Sequence, residues 1–196
     1  MSETKTEILN AVRAYHRQEE KTGAFVPGET EIWPSGAVLD ADDRAAFVEA
    51  ALDMRIASGT SARKFESALA RRIGVRKAHL TNSGSSANLL AITALTSHQL
   101  GERALVPGDE VVTVAAAFPT TVNPILQNGL VPVYVDIELG TYNTTAERVE
   151  RAIGPRTRAI AIAHTAGNPY EVEEIARIAA EHGLFLVEDN CDALGS

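Results

Sequence analysis

The sequence has little cysteine, few aromatic side chains and no long apolar run. Its only cysteine in 196 residues is Cys191, and 5% of the residues are aromatic. A single thiol cannot form an internal disulfide or complete a structural zinc site, so the disulfide-rich and zinc-finger classes are excluded. The cysteine content fits a reducing compartment. No apolar run approaches the roughly 18 residues that a membrane span needs.

Positive charge is also scarce. Lysine and arginine total 18 against 26 aspartates and glutamates, which gives a formal net charge of −8. This charge argues against a nucleic-acid backbone or an anionic membrane as the main partner. The N-terminal run MSETKTEILN is polar and acidic, unlike a signal peptide. We therefore expect a cytoplasmic protein that binds neither nucleic acid nor membrane.

The remaining composition is that of an ordinary globular protein, with 45% hydrophobic and 22% charged residues. From residue 78 onward, short β-rich runs alternate with helices, and several runs are apolar on both faces. That pattern predicts an α/β fold with a mostly parallel sheet covered by helices on both sides. The strands are predicted at 78–81, 110–114, 131–136, 159–164 and 184–188. The intervening helices are predicted at 85–99, 120–128, 145–153 and 172–182.

The N-terminal part has a different organisation. A helical spacing of apolar residues predicts a helix over 5–20, and a stretch rich in glycine and proline predicts an extended arm over 21–36. Asp40 is a candidate N-cap for a helix to residue 57, and Ser61 for a second helix that Gly74 ends. We therefore divide the chain into a helix and arm, 1–40, and a main domain, 41–196.

Ligands of open α/β sheets bind beyond the carboxyl ends of the strands. The first predicted strand leads into Gly84, Ser85 and Ser86 at the start of a helix. A glycine, two hydroxyls and the free N–H groups of a helix terminus are typical of a phosphate site, although serine is also a common helix cap.

The ends of the other strands supply further candidates, each with two interpretations. Phe118 could stack on a flat ligand or pack in the core. Asp189 could pair with a protonated ring nitrogen of a cofactor or cap the next segment. His164 could be a base, but a lone histidine is more often structural. Cys191 is expected to be a buried small residue.

Five segments occur in an order that resembles a known family. They are NSGSSAN, FPTTVNP, VYVDIELGTYN, AHTAGNP and EDNCDALGS. The resemblance is to the DegT/DnrJ/EryC1/StrS group of pyridoxal-phosphate enzymes, whose large domain has the aspartate aminotransferase (type I) fold. The runs LTSHQLGERAL and AAAFPTTVNP resemble most the CDP-4-keto-6-deoxyglucose 3-dehydrase branch, which serves deoxysugar and lipopolysaccharide biosynthesis.

The resemblance implies roles for individual residues. Gly84, Ser85 and Ser86 would hold the cofactor phosphate, and Phe118 would stack on the pyridine ring. Asp189 would pair with the protonated pyridine nitrogen and strengthen the electron sink. Asp192 stands where many relatives carry glutamine near the phenolic oxygen of the cofactor. An acidic group there fits the dehydrase branch better than the transaminase branch.

The same resemblance implies that the catalytic base lies beyond Ser196, so we expect no catalytic residue, no metal site and no small C-terminal domain in this chain. A histidine at the base position would indicate the dehydrase, and a lysine a sugar aminotransferase. Cysteines for an iron–sulfur cluster would also follow later. A homodimer, a nucleotide-sugar substrate and a reductase partner are implied for the full-length protein. A non-catalytic fragment that only binds ligand is the remaining alternative.

Overall fold

The computed structural model describes residues 2–19, 25–32, 38–54, 57 and 59–196. The chain divides into two compact units, Met1–His79 and Leu80–Ser196. The predicted domain boundary at residue 40 stays a prediction. The predicted arm, 21–36, lies partly outside the described residues. None of the described helices is long and apolar enough to cross a membrane.

The described residues of the first unit form three helices: α1 (Glu3–Glu19), α2 (Ala41–Leu52) and α3 (Thr60–Arg72). The predicted N-cap of α2 is confirmed, because Asp40 Oδ1 accepts the N–H groups of Asp42 at 2.7 Å and Asp43 at 2.8 Å. The carboxylate of Asp43 in turn accepts the N–H of Asp40, which completes a capping box. This arrangement satisfies two of the otherwise unpaired donors of the first turn.

The limits of α2 and α3 differ in part from the prediction. Helix α2 ends at Leu52, before the predicted end at residue 57. The predicted cap at Ser61 is wrong, because Gly59 is the N-cap of α3 and makes no side-chain hydrogen bond. The predicted end at Gly74 is confirmed: this residue has a φ of +71°, and the next N–H donates to the carbonyl of Ala70. That is a Schellman ending, which favours glycine.

The second unit is built on a four-stranded parallel sheet with strand order β2-β1-β3-β4. The strands are β1 (Glu110–Val114), β2 (Val131–Val135), β3 (Thr157–Ala163) and β4 (Phe185–Asp189). The helices are α4 (Gly84–Leu95), α5 (Pro119–Gln127), α6 (Ala146–Arg151) and α7 (Val172–Glu181). The parallel α/β architecture predicted from the sequence is thereby confirmed, with small shifts at the ends of the elements.

Both faces of the sheet are covered, because side chains alternate along each strand. One apolar cluster joins Val112 and Ile160 to residues of α6 and α7, including Ile175. A second cluster on the other face joins Val111 to Ile92 of α4 and Ile125 of α5. Continuous apolar strands are the sequence signature of this double coverage.

One predicted element is wrong, and one is shorter than predicted. Residues 78–81 do not join the four-stranded sheet and are not a strand. A strand is maintained by its ladder with a neighbour, and the ladder here runs only between β1, β2, β3 and β4. The helix predicted over 85–99 ends at Leu95 and is followed by a 3₁₀ helix, His98–Arg103. Thr96 Oγ1 donates to a carbonyl of the last turn, and local bonds of this kind compete with helix continuation.

Candidate active site

A cavity of about 600 Å³ opens at the carboxyl ends of the strands of the second unit. It is formed by the start of α4, the start of α5 and the segments that follow β1, β3 and β4. The lining residues are Gly84, Ser85, Asn88, Ala116, Ala117, Phe118, Thr120, Thr121, Ala163, His164, Thr165, Asp189, Cys191 and Asp192. The volume lies in the range of small-molecule sites, and the position is the one expected for ligands of open α/β sheets.

Asp189 ends β4, and several donors hold its carboxylate. Oδ2 accepts hydrogen bonds from Asn88 Nδ2 on α4 and from Thr121 Oγ1 on α5, both at 2.8 Å. Oδ1 accepts the backbone N–H of Cys191 at 3.2 Å. An ionised carboxylate offers about four acceptor positions, so among the described residues one position on Oδ1 stays open after these three bonds. The carboxylate is therefore fixed in orientation and able to accept one further donor.

The start of α4 forms a second wall of the cavity. Ser83 is the N-cap, and its Oγ accepts the N–H of Ser86 at 3.2 Å. The hydroxyls of Ser83 and Ser86 also bond to one another at 3.2 Å, whereas Gly84 and Ser85 face the cavity. The serines therefore divide between the two interpretations, a helix cap and a ligand site. Ser83 and Ser86 cap the helix, and Ser85 lines the cavity.

Phe118 lies at the mouth of the cavity as the N-cap of α5, next to Pro119 in the first turn. Its side chain is 71% exposed. That exposure contradicts core packing and leaves the ring face open to a flat ligand. The proline favours this start of α5, because its fixed φ suits the first helical turn and its missing N–H needs no partner there.

His164 is only 3% exposed and is held on both ring nitrogens. Nδ1 accepts the backbone N–H of Tyr170 at 3.4 Å, and Nε2 lies 3.2 Å from Glu188 Oε2. A neutral ring that accepts at Nδ1 carries its proton on Nε2, so the imidazole donates to Glu188. This pairing supports the structural interpretation of His164 over a catalytic one.

The segment after β4 completes the cavity with Cys191 and Asp192. Cys191 is exposed, so the expectation of a buried residue is wrong. Its Sγ would lie 3.4 Å from a Cβ added at Gly84, which leaves little room for a larger residue at that position. The backbone oxygen of Asp192 approaches Gly167, where an added Cβ would lie 2.9 Å away.

Sequence reasoning missed Asn88 and Thr121, the two side chains that bind Asp189. A signal was present for the first of them. Asn88 follows Ser85 by three positions on a helix, and residues at that spacing share a face. The signal for Thr121 was weaker, because a threonine in the first turn of a helix is common for other reasons. Among the described residues, no group of histidines, cysteines or carboxylates is arranged to hold a metal ion.

Comparison with known proteins agrees with this geometry. Residues 38–196 match the profile of the DegT/DnrJ/EryC1/StrS aminotransferase family. The chain belongs to that family. Every residue that lines the cavity falls inside the matched range.

Two family members are similar over almost the whole chain. A dTDP-4-dehydro-2,6-dideoxy-D-glucose 3-dehydratase from Saccharopolyspora spinosa is 64% identical over 194 residues, which are 99% of this chain and 42% of the relative. The lipopolysaccharide biosynthesis protein RfbH of Salmonella typhimurium is 50% identical over 192 residues, 98% of this chain and 44% of the relative. The chain therefore spans less than half the length of these relatives.

The fold of the family is also found among solved structures. A crystal structure of GDP-4-keto-6-deoxymannose-3-dehydratase with a trapped PLP-glutamate geminal diamine matches with a TM-score of 0.69 at 33% identity. The match covers 76% of this chain and 38% of that one. The α/β sheet described above is thus that of aminotransferase-like enzymes dependent on pyridoxal phosphate.

Proposed function

We propose that the cavity binds pyridoxal or pyridoxamine 5′-phosphate. The observation that carries this proposal is that the carboxylate of Asp189, with one open acceptor position, shares a cavity with Ser85 and the exposed ring of Phe118. An anchored carboxylate, a helix N-terminus and an aromatic face match the protonated nitrogen, the phosphate and the flat ring of this cofactor.

Each part of the cofactor has a counterpart in the chain. The free N–H groups at the start of α4, with Gly84 and Ser85, suit the phosphate, because the helix dipole favours negative charge there. Phe118 would cover one face of the ring, and Asp189 would accept the N–H of the pyridinium. Asp192 lines the same cavity, and we propose that it lies near the phenolic oxygen. Ser86 would contribute indirectly, by fixing the start of α4, because its N–H and its hydroxyl both bond to Ser83 Oγ.

When bound, this cofactor supplies an electron sink that stabilises negative charge at a carbon next to the amine-bearing position. The role of the chain is to bind and orient it. Asp189 would keep the ring nitrogen protonated by accepting a hydrogen bond from its N–H, and Phe118 would shield one face of the ring from water. None of the described residues that line the cavity is a lysine. We propose that a residue of the complete enzyme outside these elements carries the proton transfers of the reaction.

For the full-length protein we propose a nucleotide-sugar 3-dehydratase, which removes the C3 hydroxyl of a 4-keto-6-deoxyhexose in deoxysugar or lipopolysaccharide biosynthesis. The identity of 64% to a dTDP-sugar 3-dehydratase supports this reaction class. A CDP-linked or a dTDP-linked sugar would be the substrate. A homodimer, a reductase partner and an iron–sulfur cluster in another part of the protein belong to the same proposal.

Spectroscopic titration tests the cofactor proposal. Pyridoxamine phosphate should bind the 196-residue chain saturably and shift the absorption band of the cofactor. The variant Asp189→Ala should lose most of this affinity while its far-UV circular dichroism stays that of the wild type. An unchanged affinity in Asp189→Ala would contradict the assignment of the ring nitrogen.

Turnover by the full-length enzyme tests the reaction. Release of the C3 hydroxyl from a CDP- or dTDP-linked 4-keto sugar supports the dehydratase, and transfer of an amino group to C4 supports an aminotransferase instead. Cofactor binding without either reaction would support the third alternative, a protein that binds the ligand without catalysis. Competition between CDP and dTDP sugars then decides which nucleotide is preferred.

A further inference from the structure

We propose that Asn88 is a positioning residue, which orients the carboxylate of Asp189 so that its one open acceptor position meets the ring nitrogen of the cofactor. This inference rests on the proposed function, since it assigns Asp189 to that nitrogen. Asn88 itself would touch neither the nitrogen nor the reacting atoms. Its effect would pass through the hydrogen bond of 2.8 Å from Nδ2 to Asp189 Oδ2.

The amide of Asn88 is oriented by two acceptors. Nδ2 donates to the carboxylate of Asp189 and, at 3.3 Å, to the backbone carbonyl of Thr120 at the start of α5. Both neighbours are pure acceptors, so the amide must present its nitrogen to them. The side chain therefore links α4, the first turn of α5 and the end of β4.

Thr121 supplies the second restraint from the opposite helix. The residue is 4% exposed, and its hydroxyl donates to the same oxygen, Oδ2, at 2.8 Å. With both acceptor positions of Oδ2 occupied, the carboxylate cannot exchange its two oxygens without breaking two hydrogen bonds. Oδ1 has only the N–H of Cys191 among the described residues, so the remaining position belongs to Oδ1.

A fixed carboxylate binds a cation better than a mobile one, because less orientational freedom is lost on binding. Removal of the Asn88 amide would leave Oδ2 with a single donor and allow the carboxylate to rotate. The charge of Asp189 would remain, but the open position would no longer be held on one oxygen. The loss should therefore affect ligands that carry the ring N–H and spare ligands that lack it.

The test uses two variants and a matched control. Asn88→Leu has a similar volume and removes both donors, and Thr121→Val removes the hydroxyl with little change of shape. Asn128 provides the control, because its Nδ2 makes the same kind of contacts between α4 and α5: to the carbonyl of Pro124 at 2.8 Å and to Thr93 Oγ1 at 3.2 Å. Asn128→Leu should perturb the helix pair without touching Asp189.

The dissociation constants of pyridoxamine phosphate and of its 1-deaza analogue, which has carbon in place of the ring nitrogen, are measured by equilibrium dialysis for each protein. We expect about tenfold weaker binding of pyridoxamine phosphate by Asn88→Leu and Thr121→Val, since a hydrogen bond to a charged group is at stake. Binding of the deaza analogue should stay unchanged in both variants. Asn128→Leu should bind both ligands as the wild type does.

Different results overturn different claims. Wild-type affinity for pyridoxamine phosphate in both variants overturns the role of Asn88 and leaves the proposed function intact. Equal weakening for the deaza analogue also overturns it, since that pattern indicates general damage to the cavity. If the wild-type chain binds neither ligand, the proposed function itself fails. If Asn88→Leu does not fold, Thr121→Val alone must show the selective loss or the positioning of Oδ2 is refuted.

Discussion

The imidazole of His164 lies flat on the ring of Tyr170, with centroids 4.1 Å apart and planes inclined by 2°. The Nε2 atom of the imidazole faces the carboxylate of Glu188. Because neighbouring residues of a strand point to opposite faces, Glu188 and Asp189 engage different partners at the end of β4. One face is held by the histidine, and the other by Asn88 and Thr121. The rim that carries the candidate site is thus restrained on both sides of the sheet.

Replacement of His164 should measure how much its contacts with Tyr170 and Glu188 stabilise the fold. His164→Phe keeps a ring of similar size on Tyr170 but removes both polar contacts of the imidazole. We expect a loss of about 1–3 kcal/mol in the free energy of unfolding, because the buried N–H of Tyr170 is left without its partner. Urea denaturation provides the measurement, with Glu188→Gln as a milder variant that can still accept the hydrogen bond from Nε2. Equal stability of His164→Phe and wild type would show that the ring contributes by packing alone.

Tyr170 should make the protein sensitive to alkaline pH. Burial, and secondarily the charge of Glu188, raise the pKa of Tyr170 well above its usual value of 10.0. Above pH 10 the unfolded chain releases this proton while the folded chain keeps it, so stability falls as pH rises. Tyr170→Phe should reduce the stability lost between pH 9 and pH 11 by about 1.4 kcal/mol.

The control for this prediction is Tyr134→Phe, since that side chain is 53% exposed. The Tyr134→Phe protein should lose stability over the same pH range as the wild type does. At neutral pH, Tyr170→Phe should be at least as stable as the wild type, because the hydroxyl of Tyr170 is buried without a hydrogen-bond partner among the described residues. The prediction fails if the two variants show the same pH profile.

Gly167 should tolerate no side chain. Its φ is +77°, and an added Cβ would lie 2.9 Å from the backbone oxygen of Asp192. Gly140 offers a matched comparison, because its φ is +100° but nothing lies within 4 Å of an added Cβ. Gly140→Ala should cost about 1 kcal/mol for the backbone conformation alone. Gly167→Ala should cost clearly more in urea unfolding and should weaken cofactor binding, since the segment that carries Asp192 must move. Equal costs would show that this backbone contact relaxes freely.

The sequence predicted the sheet well because its strands are covered on both faces. The run 159–163, which contains Ile160 and Ile162, is apolar at every position, as expected for a strand that helices cover on both faces. The segment at 78–81 also contains apolar residues, Ala78 and Leu80, but does not join the ladder. Pairing depends on a neighbouring strand, and composition does not report whether that neighbour is present.

The sequence predicted those residues of the candidate site whose position follows from the ends of the strands. The strand-end rule located Ser85, Phe118 and Asp189 at one rim, and the structure brings all three to one cavity. It could not locate Asn88 or Thr121 as partners of Asp189, because those contacts join residues 101 and 68 positions apart. The direction of a side chain across such a distance follows from the packing of α4 and α5, which no local pattern encodes. The exposure of Cys191 was missed for the same reason.

Two serines at the start of α4 should separate helix capping from cofactor binding. Ser83 Oγ accepts the N–H of Ser86, so Ser83→Ala should lower the free energy of unfolding by about 1 kcal/mol. Ser85 lines the cavity, and no hydrogen bond ties its hydroxyl to another described residue. Ser85→Ala should therefore leave stability near that of the wild type. It should weaken the binding of pyridoxamine phosphate about tenfold, as expected for a lost hydrogen bond to a phosphate.

Urea unfolding and equilibrium dialysis on the same preparations distinguish these two roles. In the ligand-free state only Ser83→Ala should unfold at lower urea. Saturating pyridoxamine phosphate should then raise the midpoint of the wild type more than that of Ser85→Ala, because stabilisation by a ligand follows its affinity. If Ser85→Ala destabilises the free protein and binds the cofactor normally, Ser85 is part of the helix cap, and the phosphate must be held by other groups of the cavity.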